Sequence, residues 1–193
     1  MTALLRDLRE DLRYYMLLDP SAERRSDIIL FSAGFHALLF YRLAHSLWTR
    51  RLRFLAKFFS YVARILFSAD IHPAAQIAKG VVIDHSIGVV IGSTASIGKG
   101  TLIYHGVTLG TRRIIKGKRH PDIGENVVIG ANASILGPIV VGSGAKIGAN
   151  SVVINSVPSG ATAVGIPARI INDGSKESEQ DYFFEESTVH AHT

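Results

Sequence analysis

The chain has 193 residues, of which 47% are hydrophobic and 19% are charged, so it can bury the core of about one ordinary domain. It contains no cysteine, which excludes a disulfide scaffold, a thiolate nucleophile and a cysteine-based zinc site. Residues 1–69 carry 11 basic and 6 acidic side chains, and residues 70–172 carry 9 basic and 4 acidic ones. The tail, residues 173–193, carries 1 basic and 6 acidic side chains. The first two segments would suit an anionic partner, and the acidic tail is typical of a disordered appendage.

An N-terminal helical domain is predicted over residues 1–69, because apolar residues recur there every three to four positions, as at Leu5, Leu8 and Leu12. The spacing predicts three helices, over about 4–17, 25–49 and 52–68. The N-terminus lacks the apolar core of a signal peptide, and the longest apolar run is too short to cross a bilayer. We therefore expect a cytoplasmic protein without a membrane span.

A six-residue period replaces the helical one at Asp70 and continues to residue 172. Sixteen of the 18 glycines lie in this range, whereas Tyr104 is its one aromatic residue. Such a short period indicates a parallel β-helix, in which an aliphatic side chain points inward from each strand and a small residue permits the turn. Thirteen positions carry the repeat: Ile71, Ile77, Ile83, Ile91, Ile97, Ile103, Leu109, Ile123, Ile129, Ile135, Val141, Ile147 and Val153.

Two insertions interrupt the repeat, two residues around Asp84–His85 and eight within Thr111–Asp122. A solenoid places insertions outside its packed coils, often on its binding face. The first insertion brings a carboxylate and an imidazole. The second is strongly basic and contains Arg112, Arg113, Lys116, Lys118, Arg119 and His120. These two places are therefore the candidates for chemistry.

Four segments make the chain resemble the serine O-acetyltransferases of the hexapeptide-repeat family: DIHPAAQIAKGVVIDHSIG, HGVTLG, RHPDIGENVVIGANASILG and VGIPARI. The resemblance covers about residues 19–171. It implies an α+β fold in which helices precede a left-handed parallel β-helix with an inserted loop. It also implies acetyl-CoA as co-substrate, no metal, and a homotrimer with active sites between neighbouring subunits.

Acetyl transfer from a thioester to a hydroxyl needs a base, because an alcohol is a weak nucleophile near neutral pH. Histidine suits this role, and the absence of cysteine favours direct attack over an acyl-enzyme. The resemblance makes His85 the base and Asp70 the residue that orients its imidazole. The two are fifteen residues apart, slightly less than one eighteen-residue coil, so adjacent coils would bring them together.

A serine site must match both charges of a zwitterion. The resemblance places Arg119 and His120 at the carboxylate and Asp84 at the amino group. It matches Asp19 to a further substrate-holding aspartate, with a turn or helix cap as the alternative role. The expected acetyl-CoA contacts are Gly110, Ala131 and Ala149 along the pantetheine arm, with Lys146 and Arg169 near the distal, phosphate-bearing part. Among the other histidines, His72 is expected at a structural corner and His36 in helix packing, while His105 is unassigned.

Three features depart from the family. Only 69 residues precede the repeats, about half the usual number, which predicts a trimer rather than a pair of trimers. The loop Thr111–Lys118 replaces a nearly neutral, glycine-rich segment, and its cations would either reach the CoA phosphates or reshape the acceptor pocket. The chain ends in Thr193 instead of the isoleucine that docks into the sulfhydrylase, so a cysteine synthase complex is not expected.

Other functions compete with this one. The same mechanism would serve a saccharide, another hydroxy amino acid or a xenobiotic, although the Arg119–His120 pair favours a zwitterion. A trimeric scaffold or a module for anionic surfaces would need neither His85 nor Asp70. Nucleic-acid binding is disfavoured because the basic loop lacks stacking aromatic residues. A metal site like that of β-helical carbonic anhydrases would require His85, His105 and His120 to converge, and they lack that family's close pair of ligands.

Overall fold

The computed structural model describes residues 3–172, and the acidic tail lies outside the described residues. Four helices come first: α1 (Ala3–Leu18), α2 (Arg25–Phe31), α3 (Ala33–Thr49) and α4 (Arg53–Phe67). The single helix expected over 25–49 is wrong, because Ser32 interrupts it. The backbone of Ser32 is extended, and its hydroxyl accepts a 3.2 Å hydrogen bond from the N–H of Phe35 at the start of α3.

No single helix within residues 3–172 is long and apolar enough to cross a membrane. The pair α2 and α3, bent by 72° at its break, together has the length and composition of a broken span.

Fifteen short strands follow, three to each full coil. The first coil contains β1 (Asp70–Ile71), β2 (Gln76–Ile77) and β3 (Val82–Asp84), and the second contains β4 (Val90–Ile91), β5 (Ser96–Ile97) and β6 (Leu102–Tyr104). The third contains β7 (Thr108–Gly110), β8 (Asp122–Ile123) and β9 (Val128–Ile129), and the fourth contains β10 (Ser134–Leu136), β11 (Val140–Val141) and β12 (Lys146–Ile147). The last contains β13 (Val152–Val153) and β14 (Thr162–Gly165), and β15 (Ala168–Asn172) returns antiparallel to β14.

The coils stack into three parallel sheets, each with one strand from successive coils. Sheet A contains β1, β4, β7, β10 and β13, sheet B contains β2, β5, β8 and β11, and sheet C contains β3, β6, β9, β12 and β14, with β15 at its end. We call the edge where sheet C turns into sheet A the CA edge, and the edge where sheet A turns into sheet B the AB edge. His85 lies on the CA edge, and the loop 111–121 lies on the AB edge.

The interior of the β-helix is built from the repeat. All thirteen aliphatic side chains of the six-residue period are buried, together with small residues at the corners such as Ala95, Ala133 and Ala145. Burying one such aliphatic side chain contributes about 1.5–3 kcal/mol. The predicted period therefore defines the core that holds both edges in place.

The helices share this core instead of forming one of their own. The Tyr15 hydroxyl of α1 donates to the Ile83 carbonyl at 3.1 Å and accepts from the Ile83 N–H at 3.0 Å. The buried Arg42 guanidinium of α3 pairs with buried Asp11 of α1 and donates to the Ile77 and Ala78 carbonyls. These bonds fix α1 to β3, the strand that precedes the first insertion, and α3 to the end of β2.

Candidate active site

His85 lies in a corner that differs from the other turns of the CA edge. Its φ of +51° is left-handed, a conformation that costs energy for a residue with a side chain. The corresponding turns above it place Gly106, Asn132 and Asn150 in the left-handed region. The two-residue insertion thus turns the imidazole outward, and 77% of the side chain is exposed. Such backbone strain at an exposed acid–base group is a feature of functional sites.

One carboxylate lies directly beside this imidazole. Asp84 Oδ1 is 3.6 Å from His85 Nε2. The exposed ring of His105, one coil further along the same edge, stands edge-on to His85 with 6.5 Å between ring centroids. Asp84 also raises the pKa of Tyr104, after the larger effect of burial.

Asp70 does not pair with His85 within residues 3–172 of one chain. Its carboxylate lies 3.3 Å from the Arg64 guanidinium of α4; the Arg64 side chain is largely exposed and that of Asp70 about half exposed. An exposed pair of this kind is worth less than about 1 kcal/mol, so it is easily exchanged. The backbone N–H of Asp70 donates to the Val89 carbonyl at 2.8 Å, which places Asp70 beneath the chain that leaves the His85 corner.

Asp19 lies in the turn that follows α1. Its Oδ1 accepts hydrogen bonds from the Ser21 N–H at 2.9 Å and the Ser21 hydroxyl at 2.6 Å. These hydrogen bonds are those of a turn residue, which is the alternative role predicted for Asp19 from the sequence. Asp11 and Tyr15 lie on α1, and Asp19 follows at the same four-residue spacing just after the helix ends. Since Asp11 bonds Gly80 and Tyr15 bonds Ile83, this face of α1 carries Asp19 towards the first insertion.

The second group of predicted residues, Arg119 and His120, is held in place by hydrogen bonds to Thr94. The Thr94 hydroxyl accepts the backbone N–H of Arg119 at 3.1 Å and that of His120 at 3.2 Å. The Arg119 guanidinium donates to the Ser93 hydroxyl at 3.1 Å and to the Gly117 carbonyl at 3.3 Å. The end of the inserted loop is thereby fixed against the preceding coil, with a positive charge at the surface.

His120 is buried, with 6% of its surface exposed, and its Nδ1 is a hydrogen-bond acceptor. The Thr94 N–H donates to Nδ1 at 3.2 Å, and the Thr94 hydroxyl proton points to the same nitrogen at 2.9 Å. Burial and the nearby charges of Arg119 and Lys118 lower the pKa of His120. The ring is therefore neutral near pH 7, with its proton on Nε2.

We call the surface formed by Thr94, Arg119 and His120 the wall of the AB edge. Two further residues adjoin it. The His120 ring rests on Gly92, and a Cβ at that position would collide with it. His72, one coil earlier on the AB edge, accepts the Ala74 N–H through Nδ1 at 3.0 Å and packs edge-on against Trp48. Burial and Lys57 lower the pKa of His72. His72 is thus a corner residue, as expected from the sequence.

Three of the residues expected to bind acetyl-CoA lie on these two edges, and the other two lie on strands of sheet C. Ala131 and Ala149 lie above His85 on the CA edge, where the Asn150 N–H donates to the Ala131 carbonyl at 2.8 Å. Arg169 is exposed on β15, opposite Val164. Gly110 ends β7 on the AB edge, and Lys146 lies on β12 in sheet C, opposite Thr162.

The two groups stand at opposite ends of sheet A in one chain. His85 with Asp84 occupies the CA edge, whereas Arg119 and His120 occupy the AB edge. His85, His105 and His120 accordingly do not converge, and residues 3–172 contain no group of three or more metal-ligating side chains. One chain therefore keeps these two groups of predicted residues apart, and we refer to the groups as the two half-sites.

Thr94 and Ser93 were missed by the sequence analysis. They belong to the turn of an ordinary repeat, GSTASIG, and nothing in that segment distinguishes them from other turn residues. Their role depends on a loop that closes over them from about 25 residues further along the chain.

Comparison with known proteins places this arrangement in a family. Residues 120–155 match the family described as bacterial transferase hexapeptide (six repeats). The serine acetyltransferase of Helicobacter pylori is 50% identical over 165 residues, which span 86% of this chain and 96% of that protein. The chain belongs to the serine acetyltransferase family.

Solved structures agree with this assignment. The Neisseria gonorrhoeae serine acetyltransferase in complex with serine is 43% identical, with a TM-score of 0.84 over 87% of this chain and 69% of its own. A serine acetyltransferase in complex with CoA is 44% identical, with a TM-score of 0.84 over 88% of this chain and 70% of its own. The predicted fold, helices followed by a left-handed β-helix, is confirmed, and the protein is an O-acetyltransferase. The roles of individual residues stay predictions.

Proposed function

We propose that the protein is an acetyl-CoA:L-serine O-acetyltransferase in which His85 is the general base. The observation that carries this proposal is the left-handed, exposed histidine at the first insertion, in a chain similar to serine acetyltransferases solved with serine and with CoA. The chain has no cysteine for a thiolate acyl-enzyme, so one direct transfer is the simplest course.

His85 removes the proton of the serine hydroxyl while the hydroxyl oxygen attacks the thioester carbonyl carbon. The tetrahedral intermediate then collapses, the carbon–sulfur bond breaks, and the imidazolium returns its proton to the sulfur of CoA. Asp84 at 3.6 Å stabilises the imidazolium. Asp70 is proposed as the second supporting carboxylate, released from its exposed pair with Arg64.

The charged groups suit a zwitterionic acceptor. Arg119 supplies a fixed guanidinium for the carboxylate, and the neutral His120 ring carries a proton on Nε2. Asp84 and Asp19 provide negative charge for the amino group. A neutral saccharide would require none of these charges.

The separation of the two half-sites supports a homotrimer. If three chains turn sheet A towards a common axis, the CA edge of each one meets the AB edge of the next, and three complete sites result. The strand side chains that point outward from sheet A above Asp70 are uncharged: Val90, Thr108, Ser134 and Val152.

Helix α4 extends this proposed interface. It packs on the first strand of sheet A, where the Ser60 hydroxyl donates to the Ile71 carbonyl at 2.7 Å. Its outer face exposes large apolar side chains: Phe54, Phe58, Tyr61, Ile65 and Leu66. A contiguous exposed apolar surface of this kind marks a protein contact.

Acetyl-CoA would then lie in the groove between neighbouring chains. Ala131 and Ala149 line one wall above His85, and Gly110 lies on the other. From His85 to Ala149 the edge rises through three coils, or about 14 Å. Arg169 and Lys146 place positive charge near the far end, where the phosphates of CoA would lie.

The test is release of CoA from acetyl-CoA, followed with a thiol reagent, in the presence and absence of L-serine. Serine-dependent release, with O-acetylserine identified by mass spectrometry, is the expected result. CoA binding without serine-dependent release would overturn serine as acceptor and favour another hydroxyl compound, with the basic loop as the feature that changed specificity.

A further inference from the structure

The inserted loop covers a cavity to which the reaction described above assigns one lining residue, Arg119, and leaves the rest without a role. Its volume is about 230 Å³, and it lies on the AB edge between the loop and the fourth coil. Leu136, Pro138 and Ile139 form its apolar side. Three arginines of the loop, Arg112, Arg113 and Arg119, line the opposite side.

The positive charge of this cavity is not neutralised by nearby acids. Within residues 3–172, the one ion pair of the loop is between Lys118 and Asp122, at 2.6 Å and outside the cavity lining. Arginines gathered around an apolar cavity without a carboxylate create a site for an anion, and their planar donor groups match phosphate oxygens well.

Hydrogen bonds hold part of this group in place. The Arg112 guanidinium donates to the Ile154 carbonyl of the fifth coil at 3.2 Å, so its side chain bridges two coils. The Arg113 backbone is fixed by Thr111, whose hydroxyl donates to the Arg113 carbonyl at 2.8 Å and accepts the Arg113 N–H at 3.2 Å. The loop thus presents both arginines from a folded turn.

The cavity begins at Arg119 of the acceptor site, and its other end lies further along the β-helix. Arg119 and His120 are fixed to Ser93 and Thr94 in the second coil, near the level of His85. The apolar side of the cavity belongs to the fourth coil, and Arg112 reaches the fifth. The cavity therefore extends about two to three coil spacings, ~10–14 Å, beyond the acetyl-transfer centre. A donor whose thioester lies at His85 would bring its nucleotide end to this level.

We infer that Arg112 and Arg113 bind phosphate groups of the acyl donor and so form a nucleotide-end anchor that the basic loop provides. This inference rests on the proposed use of acetyl-CoA. It makes the two arginines binding residues with no part in proton transfer. They lower the KM of the phosphorylated donor and leave the acceptor and the chemical step unaffected.

The test compares Arg112→Gln, Arg113→Gln and the double variant with three donors: acetyl-CoA, acetyl-dephospho-CoA and S-acetylpantetheine. We expect the KM for acetyl-CoA to rise about tenfold for each arginine removed, the loss typical of a charge-assisted hydrogen bond. S-Acetylpantetheine has no phosphate, so its kcat/KM should be the same in all variants. Lys116→Gln, an exposed loop cation outside the cavity lining, is the matched control.

Acetyl-dephospho-CoA lacks the 3′-phosphate and keeps the pyrophosphate, so it shows which of these groups the arginines bind. A loss that disappears with this donor assigns the arginines to the 3′-phosphate, and a loss that persists assigns them to the pyrophosphate. An unchanged KM for acetyl-CoA, an equal loss with S-acetylpantetheine, or a rise in acceptor KM alone would overturn the inference.

Calorimetric titration with CoA separates this inference from the proposed function, because it needs no acceptor. Weaker CoA binding by the double variant supports the anchor even if serine is not acetylated. Unchanged CoA binding overturns the anchor even if serine is acetylated.

Discussion

The two edges of sheet A hold histidines in opposite environments. His85 on the CA edge is exposed, left-handed in backbone conformation and close to one carboxylate. His120 on the AB edge is buried, and its Nδ1 is occupied by hydrogen bonds from Thr94. The first environment leaves a ring nitrogen free to exchange protons, whereas the second fixes one tautomer. This contrast is the basis for the proposal that the CA edge supplies the base and the AB edge a preformed binding wall.

Removal of His85 should have the largest effect on activity. We expect His85→Gln to lower kcat by a factor of about 10²–10⁴, the usual contribution of a general base. Because the side chain is exposed, the melting temperature should stay within a degree or two of wild type, and CoA binding should persist. Serine-dependent CoA release and differential scanning calorimetry measure both. His105→Gln is the matched control. Wild-type turnover by His85→Gln would show that His85 is not the general base.

The CA edge also depends on the helices that support its first coil. Asp11→Ala leaves the buried Arg42 guanidinium without its counter-charge, and we expect a loss of about 3–5 kcal/mol in the free energy of unfolding. Urea denaturation provides the measurement. The exposed pair between Glu10 and Lys99 is the control, and Glu10→Ala should change stability little. Equal effects of the two substitutions would show that the buried pair does not anchor α1.

The AB edge is expected to depend on a single hydroxyl. Thr94→Val removes the group that joins Arg119 and His120 to the second coil, so the acceptor KM should rise about tenfold. Initial-rate kinetics with serine and acetyl-CoA varied independently would show the change in serine KM with a small change in kcat. Thr49→Val, which removes a distant hydroxyl bonded to the Ser46 carbonyl, should leave both constants unchanged. A normal serine KM in Thr94→Val would show that the Thr94 hydroxyl does not position Arg119 and His120 for serine binding.

The pH dependence of stability should report the buried His120 and the partly buried His72. The pKa values of His72 and His120 are lowered below the ordinary value of 6.5. The unfolded chain therefore binds more protons below pH 6.5, so stability is fully present above that pH and is lost as pH falls. His120→Asn keeps an acceptor near Nδ1 but does not titrate, and its melting temperature should fall less between pH 7 and 5. A profile parallel to wild type would show that His120 is not held neutral.

The sequence predicts the core of the β-helix better than its sites, for physical reasons. Each inward-pointing aliphatic residue is buried within its own coil, so the six-residue period alone is enough to identify it. The interruption of the 25–49 helix was not predicted, because apolar spacing continues on both sides of Ser32 and the cap depends on one hydroxyl. The placement of the insertions on two edges follows from counting repeats, since one comes after the third repeat and the other after the seventh.

The contacts within the edges could not be predicted in this way. Thr94 acquires its partners from a loop whose path is not encoded in the repeat, and Asp70 lies beside Arg64 because α4 packs on β1. The charges of Arg112 and Arg113 were visible, but the cavity beneath them depends on the position of the fourth coil.

The central claim, that one active site combines the CA edge of one chain with the AB edge of another, is tested most directly by complementation. Differently tagged His85→Ala and Arg119→Ala chains are co-expressed, trimers that carry both tags are purified, and activity is measured at limiting serine. In every trimer that carries both tags, one site of the three, or about a third of all sites, would combine an intact His85 edge with an intact Arg119 edge from its neighbour. The account predicts activity well above that of either parent. Activity no greater than the mean of the parents would show that both edges must belong to the same chain.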